Sequence, residues 1–411
     1  MSASAAPTYR LPCTLMRGGT SRGLVFRREA LPADESLWDL LFLAAIGSPD
    51  VRQLDGVGAG DSHTSKIAVV HPSSGPDADL DYLFGEVSIT EPRVDYAGNS
   101  GNIISALGLF AVEEGLVPAR APETLVRVRN LNTGKLTELF VPVVDGRPAD
   151  DGDFVIDGVP GYGPRIDMRF PRPEGSVTGR LLPTGAPRTR LEVPGLGGLE
   201  VTLLDAANPV VLLPGEALGV TPQTPVAQLN GDAALLETVQ RVRSAASVAM
   251  GLVQRPEDAW AYSNMVPFPV LLFPPADYDR FDDPQARVAA GDVDLCARVI
   301  SLGRFHKSIN VTVSVAISAA ALTPGTLAQT LVHGAGRRSG GAGSEAATLR
   351  IGHPSGIVHT SGATRPAAAG GAEPRIEWVR MGRTARRILD GTVYVQPYKL
   401  RWLRERLGRG T

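Results

Sequence analysis

The chain has 411 residues, 41 Lys+Arg against 43 Asp+Glu and a formal charge of −2, so it offers no basic face to nucleic acid or to an anionic membrane. At 43% hydrophobic and 20% charged it is an ordinary globular chain, long enough for two or three domains. Its two cysteines, Cys13 and Cys296, are too few for a disulfide framework and fit a reducing compartment.

The first residues lack the charged-then-apolar pattern of a secretory leader. The uncharged run "SINVTVSVAISAAALT" (308–323) is too short and too rich in Ser and Thr for a membrane span. A cytoplasmic protein is expected.

In chain order, "DESLWDLLFLAAIG" (34–47) reads as a helix, acidic in its first turn and stopped by Gly47. "KIAVVHP" (66–72) and "GEVSITEP" (85–92) read as strands, β-branched and bounded by turn residues. Ile103 to Val117 is apolar on every side, which predicts a helix buried all round. Strands are expected again in "TLVRVRNLN" (124–132), "LTELFVPV" (136–143) and "LEVTLLDAANPVVLL" (199–213). "DAALLETVQRVRSAASVAMGLV" (232–253) places Leu236, Val239, Val242 and Ala246 at helical spacing. The segment 308–322 is ambiguous: Val311, Val313, Val315 and Ile317 alternate with Thr, Ser and Ala, a strand period. Two glycine-rich stretches, 333–347 and 361–374, read as surface loops. A loose duplication also shows, since a polar turn precedes an apolar segment in both "GNSGN–IISALGLFAV" and "GRFHKS–INVTVSVAISAAAL".

The contrast inside "YAGNSGNIISALGLF" has a physical reading. A buried helix leaves first-turn N–H groups in need of partners, and a Gly/Asn loop can open them to a carboxylate. The plainer alternative is an Asn/Gly turn that caps a core helix. Ser100 does not sit in a nucleophile elbow, because position 102 is Asn rather than Gly. "GDSH" (60–63) resembles an esterase block, yet no histidine has an aspartate three residues before it. The six histidines lack metal-ligand spacing, and "DGVGAGDSHTSK" has neither P-loop nor dinucleotide glycine spacing. What remains is a set of donors beside flexible backbone: Arg17, Thr20, Ser21 and Arg22 around Gly18–Gly19, and Lys66 at a strand start. Lys66 reads either as a solvated edge charge or as a general base with a lowered pKa in a desolvated pocket.

Together "MRGGTSRGLVF", "LDGVGAGDSHTSKIAVV", "GNSGNIISALG", "LGRFHKS" and "RTARRILDG" resemble the PrpF family of the diaminopimelate epimerase-like superfamily, over nearly the whole chain. Members include 2-methylaconitate cis–trans isomerase and 4-oxalomesaconate isomerase, an enzyme of bacterial aromatic breakdown, and the chain looks most similar to the latter. The resemblance implies an α+β fold of two similar lobes, each a curved, mostly antiparallel sheet wrapped around a central helix. The first lobe would span 1–185, with 380–411 returning to it, and the second 186–379. Residues 308–322 would then form the second central helix, with both helix N-termini facing one cleft.

The implied chemistry is a cofactor-independent 1,3-allylic proton shift on a small unsaturated polycarboxylate, with no metal, nucleic acid or membrane involved. Homodimers are common in the superfamily, although nothing in this sequence marks an interface. Lys66 corresponds to the family's catalytic lysine. Ser100 falls where the family has a cysteine, and a hydroxyl is a far weaker acid than a thiol of pKa about 8.5. Ser100 is therefore expected to position substrate while Lys66 carries the proton both ways, or to mark a slowed variant. Substrate contacts are expected from Arg17, Thr20, Ser21, Ser65, Asn99, Gly101, Asn102, His306 and Ser308, with Asn132 and Thr133 as weaker candidates. For His306 a purely structural role is the alternative.

Overall fold

Two parallel strand crossovers, each carrying a fully buried helix, organise the chain. The computed structural model describes residues 7–334, 347–365 and 375–408. In the first lobe β1 (Tyr9–Gly18) and β2 (Ser21–Arg27) form a hairpin, and α1 (Trp38–Ile46) leads to β3 (Lys66–Pro72) and β4 (Leu80–Val87). Helix α2 (Gly101–Glu113) then crosses to β5 (Glu123–Asn130), which β6 (Leu136–Val144) and β7 (Ile166–Pro171) follow.

The second lobe repeats this order. β8 (Thr189–Val193), β9 (Gly197–Ala206) and β10 (Asn208–Pro214) precede α3 (Ala233–Ala249), β11 (Phe268–Phe273) and β12 (Leu295–Ser301). Helix α4 (Val311–Ala321) and α5 (Leu327–Gly334) lead to β13 (Ala347–His353), β14 (Gly356–Arg365) and β15 (Arg375–Arg383). Finally β16 (Ala385–Val395) runs antiparallel along β1, and α6 (Pro397–Arg406) packs on α1.

Strand pairing makes the duplication explicit. The first lobe is ordered β16-β1-β2-β3-β4-β5-β6-β7, the second β8-β9-β10-β11-β12-β13-β14-β15. In both, the third and fifth pairings are parallel and the rest antiparallel. β7 pairs with β15 and joins the two sheets. Parallel neighbours need a crossover connection, and α2 and α4 supply the corresponding one in each lobe. Helix α2 touches β16, β1 and β2 as well as β5 and β6, so the sheet curls round it; α4 touches β9, β10, β14 and β15 likewise. One apolar core holds both helices, while α1 with α6, and α3, cover the outer faces.

The helix at 311–321 overrides its strand-like alternation for a clear reason. Every residue of α4 is buried, so no amphipathic stripe is required of it. Its hydroxyls are absorbed locally: Ser314 Oγ donates to the Asn310 carbonyl at 3.1 Å and Ser318 Oγ to the Ser314 carbonyl at 2.7 Å. Other expectations need correction. "GEVSITEP" is strand only to Val87, and Ser88 then opens a turn, its N–H donating to the Arg93 carbonyl at 2.9 Å and its Oγ accepting from Glu91 N–H at 3.3 Å. The 199–213 run is a hairpin that reverses at Ala207, whose φ is 60°. Residues 361–365 belong to β14 and 333–334 to α5, whereas 335–346 and 366–374 lie outside the described residues. The 34–47 segment begins as a 3₁₀ turn, with Asp34 accepting from Ser36 N–H, and stops at Gly47 with φ 92°. No helix among the described residues is long and apolar enough to cross a membrane.

Ile317 is fully buried in α4, and truncation there leaves a cavity that the surrounding sheet cannot close. Ile317→Ala is expected to cost about 2–5 kcal/mol in denaturant unfolding.

Candidate active site

The two central helices meet tip to tip. A Cβ at Gly101 would stand 2.3 Å from Val311 Cγ1, so only glycine lets the first turn of α2 approach that of α4 so closely. Asn208, at the start of β10, ties the tips together. Its Oδ1 accepts from Asn99 N–H at 3.0 Å, and its Nδ2 donates to the Asn99 carbonyl at 2.9 Å and to Thr312 Oγ1 at 2.8 Å. Neither helix carries a side-chain cap: Ser100 and Asn310 occupy the N-cap positions in extended geometry and make no capping bond. The first-turn N–H groups and the positive ends of both dipoles are thus directed to one place.

The β1–β2 turn closes over these tips. Gly18 lies against the Asn102 carbonyl and Gly19, at φ 49°, against Asn102 Oδ1, where a Cβ would come within 2.0 and 2.1 Å. Asn102 Nδ2 donates to Thr20 Oγ1 at 3.0 Å and to Ser21 Oγ at 3.4 Å, and Ser308 Oγ reaches Thr20 Oγ1 at 3.3 Å. Thr20, Ser21, Gly101, Asn102 and Ser308 are therefore brought together, from both lobes.

Other expected contacts are spent on structure. Arg17 holds the turn itself, donating to the Gly19 and Thr384 carbonyls at 3.0 and 3.1 Å. Ser65 Oγ donates to Gln53 Oε1 and to the Asp61 carbonyl, both at 2.9 Å, with no exposed surface. The Asn99 side chain accepts from the Tyr82 hydroxyl. Asn132 clamps Phe84 and Tyr96 backbone, and Thr133 Oγ1 donates to Asn130.

Lys66 is not an edge charge. It is 5% exposed, lies 5.6 Å from the Phe84 ring centroid, and its ammonium pairs with Glu86, itself 1% exposed. Burial raises the Glu86 carboxyl to about 7, against the pull of Lys66. Beside this pair His63 Nδ1 meets Asp61 Oδ1 at 2.6 Å, and its Nε2 meets Ser308 Oγ at 3.3 Å. The His306 ring lies tilted against that of His63, with centroids 4.1 Å apart. Burial first, then the His63 charge, pushes His306 well below its usual range, so it is neutral. Burial works to raise Asp61, but His63 and Lys307 hold it well below the usual carboxylate range.

Cavities open on two sides of the His63–Ser308 contact. One, of about 480 Å³, is lined by Thr20, Ser308, His353 and Arg383 among others; the second, of about 330 Å³, by His63, His306, Arg304 and Trp260. Arg383 is buried, and among the described residues its Nε has no hydrogen-bond partner and no carboxylate pairs with it. Burial brings its pKa down to about 10. Its Nη1 donates to the Gly382 carbonyl at 2.9 Å, and a buried guanidinium without a carboxylate partner beside a cavity has the chemistry to receive an anion. No cluster of metal-ligating side chains occurs among the described residues.

Sequence reasoning missed Glu86, His63, Asp61, Asn208 and Arg383 as site residues. Arg383 opens the "RTARR" motif and Asp61 and His63 lie in "GDSH", so the signals were present without a role attached. Glu86 was detectable only as a carboxylate in an apolar strand.

The fold and site define a class that comparison with known proteins bears out. The model of the family described as PrpF protein matches residues 8–396, and the chain belongs to that family. It is 37% identical to 3-methylitaconate isomerase of Eubacterium barkeri, over 95% of this chain and 98% of the relative. It is 38% identical to 4-oxalomesaconate tautomerase of Pseudomonas putida (94% and 96%) and 36% to 2-methyl-aconitate isomerase of Shewanella oneidensis (95% and 98%). The crystal structure of methylitaconate-delta-isomerase matches with a TM-score of 0.75 at 37% identity, over 96% of this chain and 98% of that one. A hydroxyproline epimerase from Agrobacterium vitis shares the fold, with a TM-score of 0.54 at 13% identity, over 95% of both chains. The protein is a PrpF-family isomerase acting on unsaturated carboxylates.

Two outcomes follow for stability. Asn208→Ala orphans three buried partners and is expected to cost roughly 3 kcal/mol, measured by urea unfolding. His353 is held by burial at about 3, so the native state stays neutral where the unfolded chain binds a proton. The unfolded state then carries more protons between about pH 6.5 and 3, and His353 makes stability fall as pH drops through that window. His353→Gln is expected to flatten that part of the pH–stability curve.

Proposed function

We propose that the protein isomerises 4-oxalomesaconate by a 1,3-allylic proton shift. The observation that carries this reading is the abutment of two uncapped helix N-termini at Gly101 and Val311, with a buried amine, Lys66, whose charge reaches His306 ahead of α4. An allylic C–H next to a carboxylate is too weak an acid for a free lysine. Fixed N–H donors lower that barrier by stabilising the dienolate oxygens as charge develops.

The Lys66 amine takes the allylic proton. The C–H electrons move into the conjugated carboxylate, whose oxygens the first-turn N–H groups of α2 and α4 receive, aided by Asn102 and Thr20. The Lys66 ammonium then returns a proton at the far end of the allyl system. Ser100, half-buried at the N-cap, contacts substrate but is too weak an acid to share this work. Arg383, in the 480 Å³ cavity, receives a further carboxylate. That extra cation favours a tricarboxylate, such as 4-oxalomesaconate or 2-methylaconitate, over the dicarboxylate 3-methylitaconate.

Proton NMR in deuterated buffer with each of the three compounds tests this. Turnover of 4-oxalomesaconate with deuterium uptake at its allylic position is expected, as is loss of at least about 100-fold in Lys66→Met. Preferential turnover of 2-methylaconitate or 3-methylitaconate overturns the substrate assignment. Ser100→Cys is expected to raise kcat, and an unchanged kcat contradicts the acid-strength account of that position.

A further inference from the structure

We infer that Lys66 and Glu86 share one proton and act as a single acid–base group, with Glu86, remote from substrate, setting the pH at which the amine becomes available. The inference rests on Lys66 being the base of the proposed isomerisation. Glu86 is thus a positioning residue for the proton.

Geometry makes the pair a unit. Lys66 and Glu86 are direct cross-strand partners in the β3–β4 register, and Glu86 Oε2 accepts from the Lys66 ammonium. Glu86 Oε1 is buried and has no hydrogen-bond partner among the described residues. A structural ion pair in this sheet looks different. Arg129 grips both oxygens of Asp81, Nε at 2.8 Å and Nη2 at 3.0 Å, and Arg127 likewise spans both oxygens of Asp79. Buried charges are tolerated when every lone pair is satisfied, and half-satisfied pairs are costly. The costs are relieved when the proton passes from the ammonium to the carboxylate: an N–H bond breaks, an O–H bond forms, and two neutral groups remain. Lys66 is then a free amine, the form that removes a proton from carbon.

The neighbours favour that transfer. Asp95, Glu86's register partner on the short strand Val94–Asp95 that follows β4, carries a negative charge committed to Ala97 N–H, Ser263 Oγ and Asn264 N–H, with Arg93 at 3.8 Å. Asp61 from the preceding loop, itself held by His63 and Lys307, adds a second negative charge. Both repel a carboxylate at 86. From the second lobe comes His306, which is neutral, and the Phe84 ring covers the amine. Coupled sites lose their first proton as a pair, at a pH no higher than that of the amine beside a neutral partner.

This gives Glu86→Gln a distinctive signature, because the amide keeps size and neutrality but cannot exchange a proton. In the parent the acid limb of kcat/KM is expected to level near neutrality; in Glu86→Gln it moves up by about one pH unit or more. Glu86→Asp restores it towards the parent position. A uniform loss of activity with the limb unmoved assigns Glu86 a structural role and overturns the inference. A second readout needs no turnover. With ¹³C-labelled glutamate carboxyls, the resonance missing from Glu86→Gln is expected to titrate near 7 in the parent and higher in Lys66→Met. Titration at its ordinary 4.5 overturns the pair. A parent that turns over none of the three compounds defeats the proposed function instead, and the carboxyl titration still decides whether the pair exists.

Discussion

Unpaired backbone donors at the ends of two buried helices are the constraint on which the rest of the molecule depends. Helices α2 and α4 are mostly apolar and buried on all sides, so burying them is favourable, but each burial carries first-turn N–H groups into the interior. The chain does not cap them with side chains. It sets them against one another and lets Asn208 bridge only the approach, so both dipoles end at a shared site. Gly18, Gly19 and Gly101 follow from that choice, since a Cβ at any of them would collide with a helix tip.

The lobes repeat one topology but contribute unequal chemistry. In both, the first parallel pair brings a strand start towards the centre: β2–β3 begins at Gly23 and Lys66, β10–β11 at Val210 and Phe268. The first lobe places a buried amine there and the second an aromatic core residue. In compensation, the second lobe supplies His306 and Ser308 ahead of α4, and β15 ends in Arg383. The duplicated scaffold thus places one buried amine, in the first lobe only, beside helix tips that both lobes supply. The amine pairs there with Glu86 in a carboxylate–ammonium contact sealed from solvent, where burial outweighs the pull of Lys66 and raises the carboxyl.

Much of this was legible in the residues. The polar-turn-then-apolar contrast at Ser100 marks a helix with an open N-terminus, and its echo ahead of Ile309 marks the duplication. The helix at 311–321 was not legible by periodicity, because a helix buried all round has no stripe to display and β-branched alternation then imitates a strand. Motif residues such as Arg17, Ser65 and Asn132 are expected as ligand contacts, and in the structure their side chains bond to neighbouring turns and backbone. Glu86 and Asn208 escaped because their importance comes from pairing across strands distant in sequence. No local pattern encodes that.

The proposed chemistry requires that a carboxylate be received jointly by the two helix tips. Titrating ¹⁵N-labelled protein with a non-isomerisable tricarboxylate, and following the amides of Gly101, Asn102, Val311 and Thr312, tests it most directly. Downfield movement of amides from both helices along one binding curve is the expected result. Perturbation confined to one helix, or to the cavity lined by Trp260 and Arg304, would contradict it.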